Sequence, residues 1–268
     1  SESRNVAIGA EALSVMDSDG SNYNTAVGYA AGKAVTTGTH NTLVGGLAGD
    51  AITTGLYNVA VGYGALTTNI DGYSNTAIGY ESLMTMEPTG GHSYNTAVGY
   101  RSGRLVSTGV NNTLIGGLAG DALTTGGSNV AIGVEALSTE DAGSGAVAIG
   151  YQALQDQDGG DTFNIAVGYR AGRNVTSGIN NILIGASAGD TLTTGGYNVA
   201  IGYQALKTED AHGKNVAIGH QALETLDAGA DAYNVAIGYD AGQAVTTGTL
   251  NTIMGGLAGD ALTTGGKH

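Results

Sequence analysis

The amino-acid sequence predicts an all-β fold, a parallel β-solenoid of about fifteen coils, from three observations. The pattern Asn-x-Ala-(Ile/Val)-Gly occurs fifteen times in relaxed form, starting at Asn5, Asn24, Asn41, Asn58, Asn75, Asn95, Asn112, Asn129, Ala146, Asn164, Asn181, Asn198, Asn215, Asn234 and Asn251. Most copies are seventeen residues apart, and every fourth coil is longer. The stretch from Asn41 to Asp50 returns in variant form at 112–121, 181–190 and 251–260, so a period of 69 to 71 residues overlies the shorter one. Periods this regular specify stacked repeats rather than one globular core. Glycine every few residues excludes helix as the main element, since each interior glycine costs about 0.5–1 kcal/mol relative to alanine.

Within a coil, numbered from its asparagine, position 4 is Ile or Val in every copy except the last, where it is Met254. That constancy marks a buried face, which position 2, a Thr, Val or Ile in most coils, shares by strand alternation. Position 3 points the other way and is Ala in eleven copies, giving way to Leu43, Leu114, Leu183 and Ile253 in the Gly-Asp coils, where a larger side chain has space. Both faces of the strand are then apolar, as in a strand covered on two sides. Position 5 is always Gly, which suits a strand end needing positive φ or close backbone approach. A second short strand is expected at positions 8 and 9, and the coil closes on turns such as Thr36-Thr37-Gly38. Stacked at about 4.8 Å, fifteen such coils predict a rod of roughly 70 Å.

The repeat spans residues 1–268 and leaves no place for a domain boundary, so a single continuous repeat domain is expected, as a segment of a longer fibre. With 48 glycines, one phenylalanine and no tryptophan, the core must be built from small stacked residues. The absence of cysteine excludes disulfides and thiolate metal sites. Nine Lys plus Arg against 23 Asp plus Glu give a net charge of −14, which makes nucleic acid and anionic membrane surfaces improbable partners. No apolar run of the roughly 18 residues needed for a membrane span occurs, and residues 1–4 enter the first coil without a leader. A two-faced apolar strand in so narrow a coil leaves one stripe uncovered, and such a stripe demands a partner. Identical chains in register around one axis supply it, and a homotrimer is expected.

The units Asn5-Val6-Ala7-Ile8-Gly9 and Asn24-Thr25-Ala26-Val27-Gly28 resemble the YadA-like head repeats of trimeric autotransporter adhesins. The longer form Asn-Thr-Ala-Val-Gly-Tyr…Ala-Leu…Thr-Thr-Gly is similar to repeats of phage tail fibres. The resemblance covers nearly the full chain. It implies a left-handed β-roll, an obligate homotrimer and an extracellular place on a virion tail fibre or a cell surface, without enzymatic activity. The 17-residue period is longer than the usual adhesin repeat, and the neck, stalk and anchor of the adhesins are missing from this sequence.

Candidate chemistry falls into three groups. Position 10 of successive coils would pair Lys33 with Asp50, Arg104 with Asp121 and Arg173 with Asp190, with Gln243 and Asp260 as the fourth pair. Such a surface ladder contributes about 0–1 kcal/mol per pair. The insertions place Asp17 and Asp19, and Asp156, Asp158 and Asp161, at spacings that suit calcium. Neither stretch has the glutamate at the twelfth position of an EF-hand, so solvated turns are the stronger reading and no cofactor is assigned. Tyrosine fills position 6 in eight coils, Tyr29, Tyr63, Tyr80, Tyr100, Tyr151, Tyr169, Tyr203 and Tyr239. These predict an aromatic ladder along the stack, with glycan contact on exposed ring faces as the functional alternative. The asparagines of position 1 predict a second, structural ladder.

No catalytic set is apparent. Gly45-Gly46-Leu47-Ala48-Gly49 lacks the Lys-Ser/Thr of a phosphate loop, and His40, His92, His212, His220 and His268 share no metal spacing. The sequence therefore favours a non-catalytic structural and adhesive fibre segment, binding itself and a host-surface receptor or glycan. The alternative is a self-assembling extracellular filament. A polysaccharide-acting enzyme and an ice-binding array of Thr-Thr turns, interrupted at Ile70-Asp71 and Glu209-Asp210, are weaker.

Overall fold

The computed structural model describes residues 4–16, 22–87 and 91–266. They form a parallel β-solenoid of about fourteen turns, and the described residues contain no helix. Two compact units are distinguished, Ser1–Ala131 and Ile132–His268. In each, three-residue strands stack in register. Thr25, Ala26 and Val27 pair with Thr42, Leu43 and Val44 in the first unit. Ile165, Ala166 and Val167 pair with Ile182, Leu183 and Ile184 in the second.

Two expectations are corrected. The expected second strand at positions 8 and 9 is absent, because these positions lie in a run of turns; the described residues hold a second, two-stranded sheet only later in two coils, where Gly72–Tyr73 pairs with Gly91–His92. The reason is backbone conformation, because positions 7 and 9 both take positive φ, as at Ala30 (52°) and Leu66 (56°), and alternation with left-handed residues cannot build an extended segment. From the second coil on, the residue before each asparagine does the same, as at Tyr57 (57°) and Tyr197 (61°). Hydrogen bonds between coils continue through these turns, from Gly32 N to Ala48 O at 2.9 Å and from Leu47 N to Tyr29 O at 2.9 Å.

The second correction concerns the interior. Position 3, not position 4, points into the coil: Ala26, Leu43, Ala60, Leu114, Ala166 and Leu183 are all fully buried. Positions 2 and 4 lie on the outer face of the sheet.

The larger side chains at position 3 have a packing cause. A methyl on Gly32 would stand 2.6 Å from Leu43 Cδ1, and one on Gly49 2.8 Å from Leu43 Cδ2. Leu43 thus fills volume left by glycine at position 9 of its own coil and of the one before. Where position 9 is Leu66 or Leu83, position 3 is Ala60 or Ala77. Position 5 is glycine for a different reason: a Cβ on Gly45 would lie 2.5 Å from Gly62 O of the next coil, at φ 134°.

Along one side of the interior runs the asparagine column. Asn181 is fully buried. Its backbone N–H donates to Asn164 Oδ1 at 2.8 Å, its Nδ2 to Gly195 O at 2.9 Å, and its Oδ1 accepts from Asn198 N at 2.9 Å. Amide-to-amide bonds also occur, as from Asn41 Nδ2 to Asn24 Oδ1 at 3.1 Å. Most side-chain N–H groups, however, serve a turn carbonyl, and most Oδ1 atoms serve the next backbone N–H. Both are groups that burial would otherwise leave without a partner.

Candidate functional site

The outer strand face is the most extensive feature. Its two columns, positions 2 and 4, are Ile165, Ile182, Val199, Val216 and Val235 beside Val167, Ile184, Ile201, Ile218 and Ile237 in the second unit. These side chains are half-buried to exposed, Ile182 at 36% and Ile184 at 37%. In the first unit position 2 is richer in threonine, with Thr25, Thr42, Thr76, Thr96 and Thr113. Two columns about 7 Å apart, at two residues of strand rise, make a narrow aliphatic stripe.

The tyrosines of position 6 stack along the coils. Ring centroids lie 5.7 Å apart for Tyr63 and Tyr80, 5.5 Å for Tyr80 and Tyr100, and 5.4 Å for Tyr151 and Tyr169, with planes within 16° of parallel. Tyr203 and Tyr239 sandwich His220 at 5.3 and 4.8 Å. His220 Nδ1 lies 2.9 Å from Asp240. The Gly-Asp coils break the ladder, because Gly46, Gly117, Ala186 and Gly256 stand at position 6. Tyr29 belongs to the same column, next to Gly46. Stacked rings turn their faces toward each other and their edges outward, so within a ladder the surface offered to a sugar is ring edge and hydroxyl. Open faces adjoin the small residues, and there exposure is greater, 53% at Tyr63 against 41% at Tyr80. A second aromatic column, before the asparagines, stacks Tyr23, His40 and Tyr57 at 5.1 Å each.

The position-10 ladder is partly different from its sequence form. Backbone bonds join the expected coils, from Ala34 N to Asp50 O, Leu105 N to Asp121 O and Asn174 N to Asp190 O. Arg173 Nε lies 3.4 Å from Asp190. Lys33, however, reaches back 2.7 Å to Glu11, and Gln243 reaches back 2.9 Å to Glu224. Asp50 Oδ1 and Arg104 Nε are buried with no hydrogen-bond partner, and burial pushes the Asp50 carboxyl above the ordinary aspartate range. The two acids near Lys33 differ in access: Glu11 is exposed, whereas Asp50 is partly buried.

Of the calcium candidates, Asp17 and Asp19 lie outside the described residues. Asp156, Asp158 and Asp161 are exposed and do not converge. Asp161 accepts from Ser144 N at 3.0 Å, while Asp158 stands with Glu140 and Asp141, their ligand atoms within 4.8 Å of one another. A second such group joins Glu209, Asp210, His212 and Asp227.

Sequence reasoning missed the two glutamates at the centre of these groups. Position 12 is an interior column, filled by Val35, Ile52, Met86, Val106, Leu123, Val175, Leu192, Leu226 and Val245. In the third coil of each set of four it is instead Asn69, Glu140 and Glu209, all fully buried. Each accepts from a backbone N–H three residues on: Asn69 from Gly72 at 2.8 Å, Glu140 from Gly143 at 2.7 Å and Glu209 from His212 at 3.1 Å. Burial raises both glutamate pKa values, with Asp158 adding to the rise at Glu140 and Asp227 at Glu209. Reading position 12 as a column would have exposed Asn69, Glu140, Gln157 and Glu209 as polar residues among aliphatic ones.

No protein-family model, curated protein or solved structure matches the chain.

Proposed function

We propose that this chain is a non-catalytic structural and adhesive segment of an extracellular fibre, assembled as a homotrimer. The observation that carries the reading is the in-register aliphatic stripe of positions 2 and 4, which the coil's own fold leaves uncovered while its interior is already filled from position 3. A contiguous apolar stripe of this kind marks an association surface. Parallel, in-register chains match it without any other partner, because every coil then meets the identical coil of its neighbours. A stripe only two columns wide suits a wedge around a common axis, where three chains close the core and leave no bare face. The tyrosine ladders and acidic turns then serve as the surface offered to a receptor or glycan, and the resemblance of the Asn-x-Ala-Val-Gly units to adhesin heads and tail fibres supports this use.

The test is the solution mass of the chain. One copy is 26.5 kDa, so light scattering coupled to gel filtration should give a discrete species of about 80 kDa. Ile184→Asp together with Ile218→Asp should shift it to smaller species. A discrete, soluble monomer at micromolar concentration would overturn the proposal, and open polymers would favour the filament reading.

A further inference from the structure

We propose that the coil turn formed by Glu209, Asp210, His212 and Asp227 is a binding site for a divalent transition-metal ion of the zinc type. Nothing in the fibre reading requires such a site.

Three comparisons within the molecule lead to it. The turn itself needs only an acceptor at position 12, and Asn69 supplies one with a neutral amide, bonded to Gly72 N at 2.8 Å. A carboxylate at this buried position is therefore more than the turn demands, and a buried charge must find a counterpart. At Glu140 the counterpart is internal: the carboxylate accepts from Gly143 N and from Gln157 Nε2 at 3.1 Å, and Gln157 Oε1 is in turn held by Asn164 at 2.9 Å. At Glu209 the residue matching Gln157 is Leu226, which donates nothing. The second oxygen has only the distant N–H of Ala228, at 3.4 Å.

What stands there instead is an imidazole. His212 Nδ1 is wholly buried and has no hydrogen-bond partner, yet it lies 3.4 Å from Glu209 Oε1. Two donors held at 2.0–2.1 Å by one tetrahedral ion stand about 3.3 Å apart, so this separation is that of neighbouring ligands. Asp210 and Asp227 are exposed, and they occupy position 13 of adjacent coils. One nitrogen and three carboxylate oxygens, all within 4.8 Å of one another, form a donor set suited to zinc and its first-row neighbours more than to calcium, which takes oxygen alone. Lys214, two residues after His212, is engaged 2.6 Å from Asp231. Bound there, the ion would clip two coils together at this turn.

Titration of the full chain with Zn2+, followed by calorimetry, and with Co2+, followed by visible absorption, tests the site. The expected result is one ion per chain with low-micromolar or tighter affinity and the intense visible bands of low-symmetry four-coordinate cobalt. His212→Ala should weaken binding at least 100-fold. Glu209→Gln keeps an acceptor for His212 N, so it guards against loss of the turn, and it should weaken binding comparably. Glu140→Gln, in the corresponding turn without a histidine, should leave both stoichiometry and affinity unchanged. Absence of binding at 100 μM ion would overturn the proposal. So would binding that survives His212→Ala, which would place the ion at another histidine, or binding abolished equally by Glu140→Gln.

Discussion

Replacing Asn181 by alanine tests the column that joins the coils. The side chain is fully buried and makes two bonds that alanine cannot, from Nδ2 to Gly195 O at 2.9 Å and from Asn198 N to Oδ1 at 2.9 Å. Alanine leaves that carbonyl and that N–H without these partners, in a place where water has no access. A buried polar group so orphaned costs about 1–3 kcal/mol, so the two together cost about 2–6 kcal/mol per chain. The amide's own desolvation is no longer incurred, which places the expectation in the lower half of that range.

Because solenoid coils interact chiefly with their neighbours, the loss should be local before it is global. Hydrogen exchange read by mass spectrometry should show faster exchange in peptides covering 178–200, and little change in peptides of the first unit. Denaturant unfolding at fixed protein concentration supplies the overall loss. Thr176→Val is the control, since its hydroxyl bond to Thr193 O at 3.3 Å is solvent-exposed and should matter by no more than about 0.5 kcal/mol. If Asn181→Ala costs no more than that control, the buried amides do not hold the coils together.

The remaining predictions concern packing and charge. Leu183→Ala should destabilise by about 2–5 kcal/mol. Gly172→Ala alone, whose methyl would stand 2.5 Å from Leu183 Cδ1, should cost about 1–3 kcal/mol from overpacking besides its left-handed φ. In the Leu183→Ala background the same change should cost only the conformational share, about 1 kcal/mol. Additive losses in this double-mutant cycle would refute the shared-volume account. For Glu140, burial raises the folded-state pKa above the ordinary value of 4.5. Between those two pKa values the folded state binds more protons than the unfolded one, so this residue's contribution to stability is full at low pH and falls as pH rises. With a chelator present, melting temperature should therefore fall as pH is raised from about 4.5, and Glu140→Gln should flatten its share of the slope, whatever its absolute stability. A wild-type slope unchanged by that substitution would show that Glu140 is not titrating abnormally.

The stack, the parallel register and the glycine column were legible in the sequence because a seventeen-residue period places like residues over like. Gly45 under Gly62 leaves no alternative once the coils touch, and Val27 over Val44 follows from the same spacing. The inward direction of the strand was not legible, since both its faces are apolar and alternation alone cannot say which is inside. The size rule could have decided it: a column of Ala that gives way to Leu or Ile only where glycine stands at position 9 of both that coil and the one before is a column limited by volume. The turns hid a different feature. Left-handed conformations at Glu81, Arg101 and Gln152 fall on residues with no special preference for them, and the sequence marks them only by position. Lys33 shows the limit for surface pairs, because stacking places an acid on either side of it and the structure pairs it with Glu11.

The four-coil rhythm then has a physical origin that separates the inside of the molecule from its outside. A leucine at position 3 goes with glycine at position 9 on two successive coils, and leucine returns at position 9 on the other two coils of each set, where position 3 is alanine. Leu43 with Gly32 and Gly49, followed by Ala60 with Leu66 and Ala77 with Leu83, meets both conditions. Position 6 faces outward and has no part in this exchange, so its Tyr63, Tyr80 and Tyr100 platform, closed by Gly117, repeats with the rhythm without being required by it. Interior packing fixes where the coils of each kind fall. It leaves the outer positions free to carry recognition, and in the otherwise aliphatic column of position 12 the residues Asn69, Glu140, Gln157 and Glu209 bring polar chemistry to the boundary between the two.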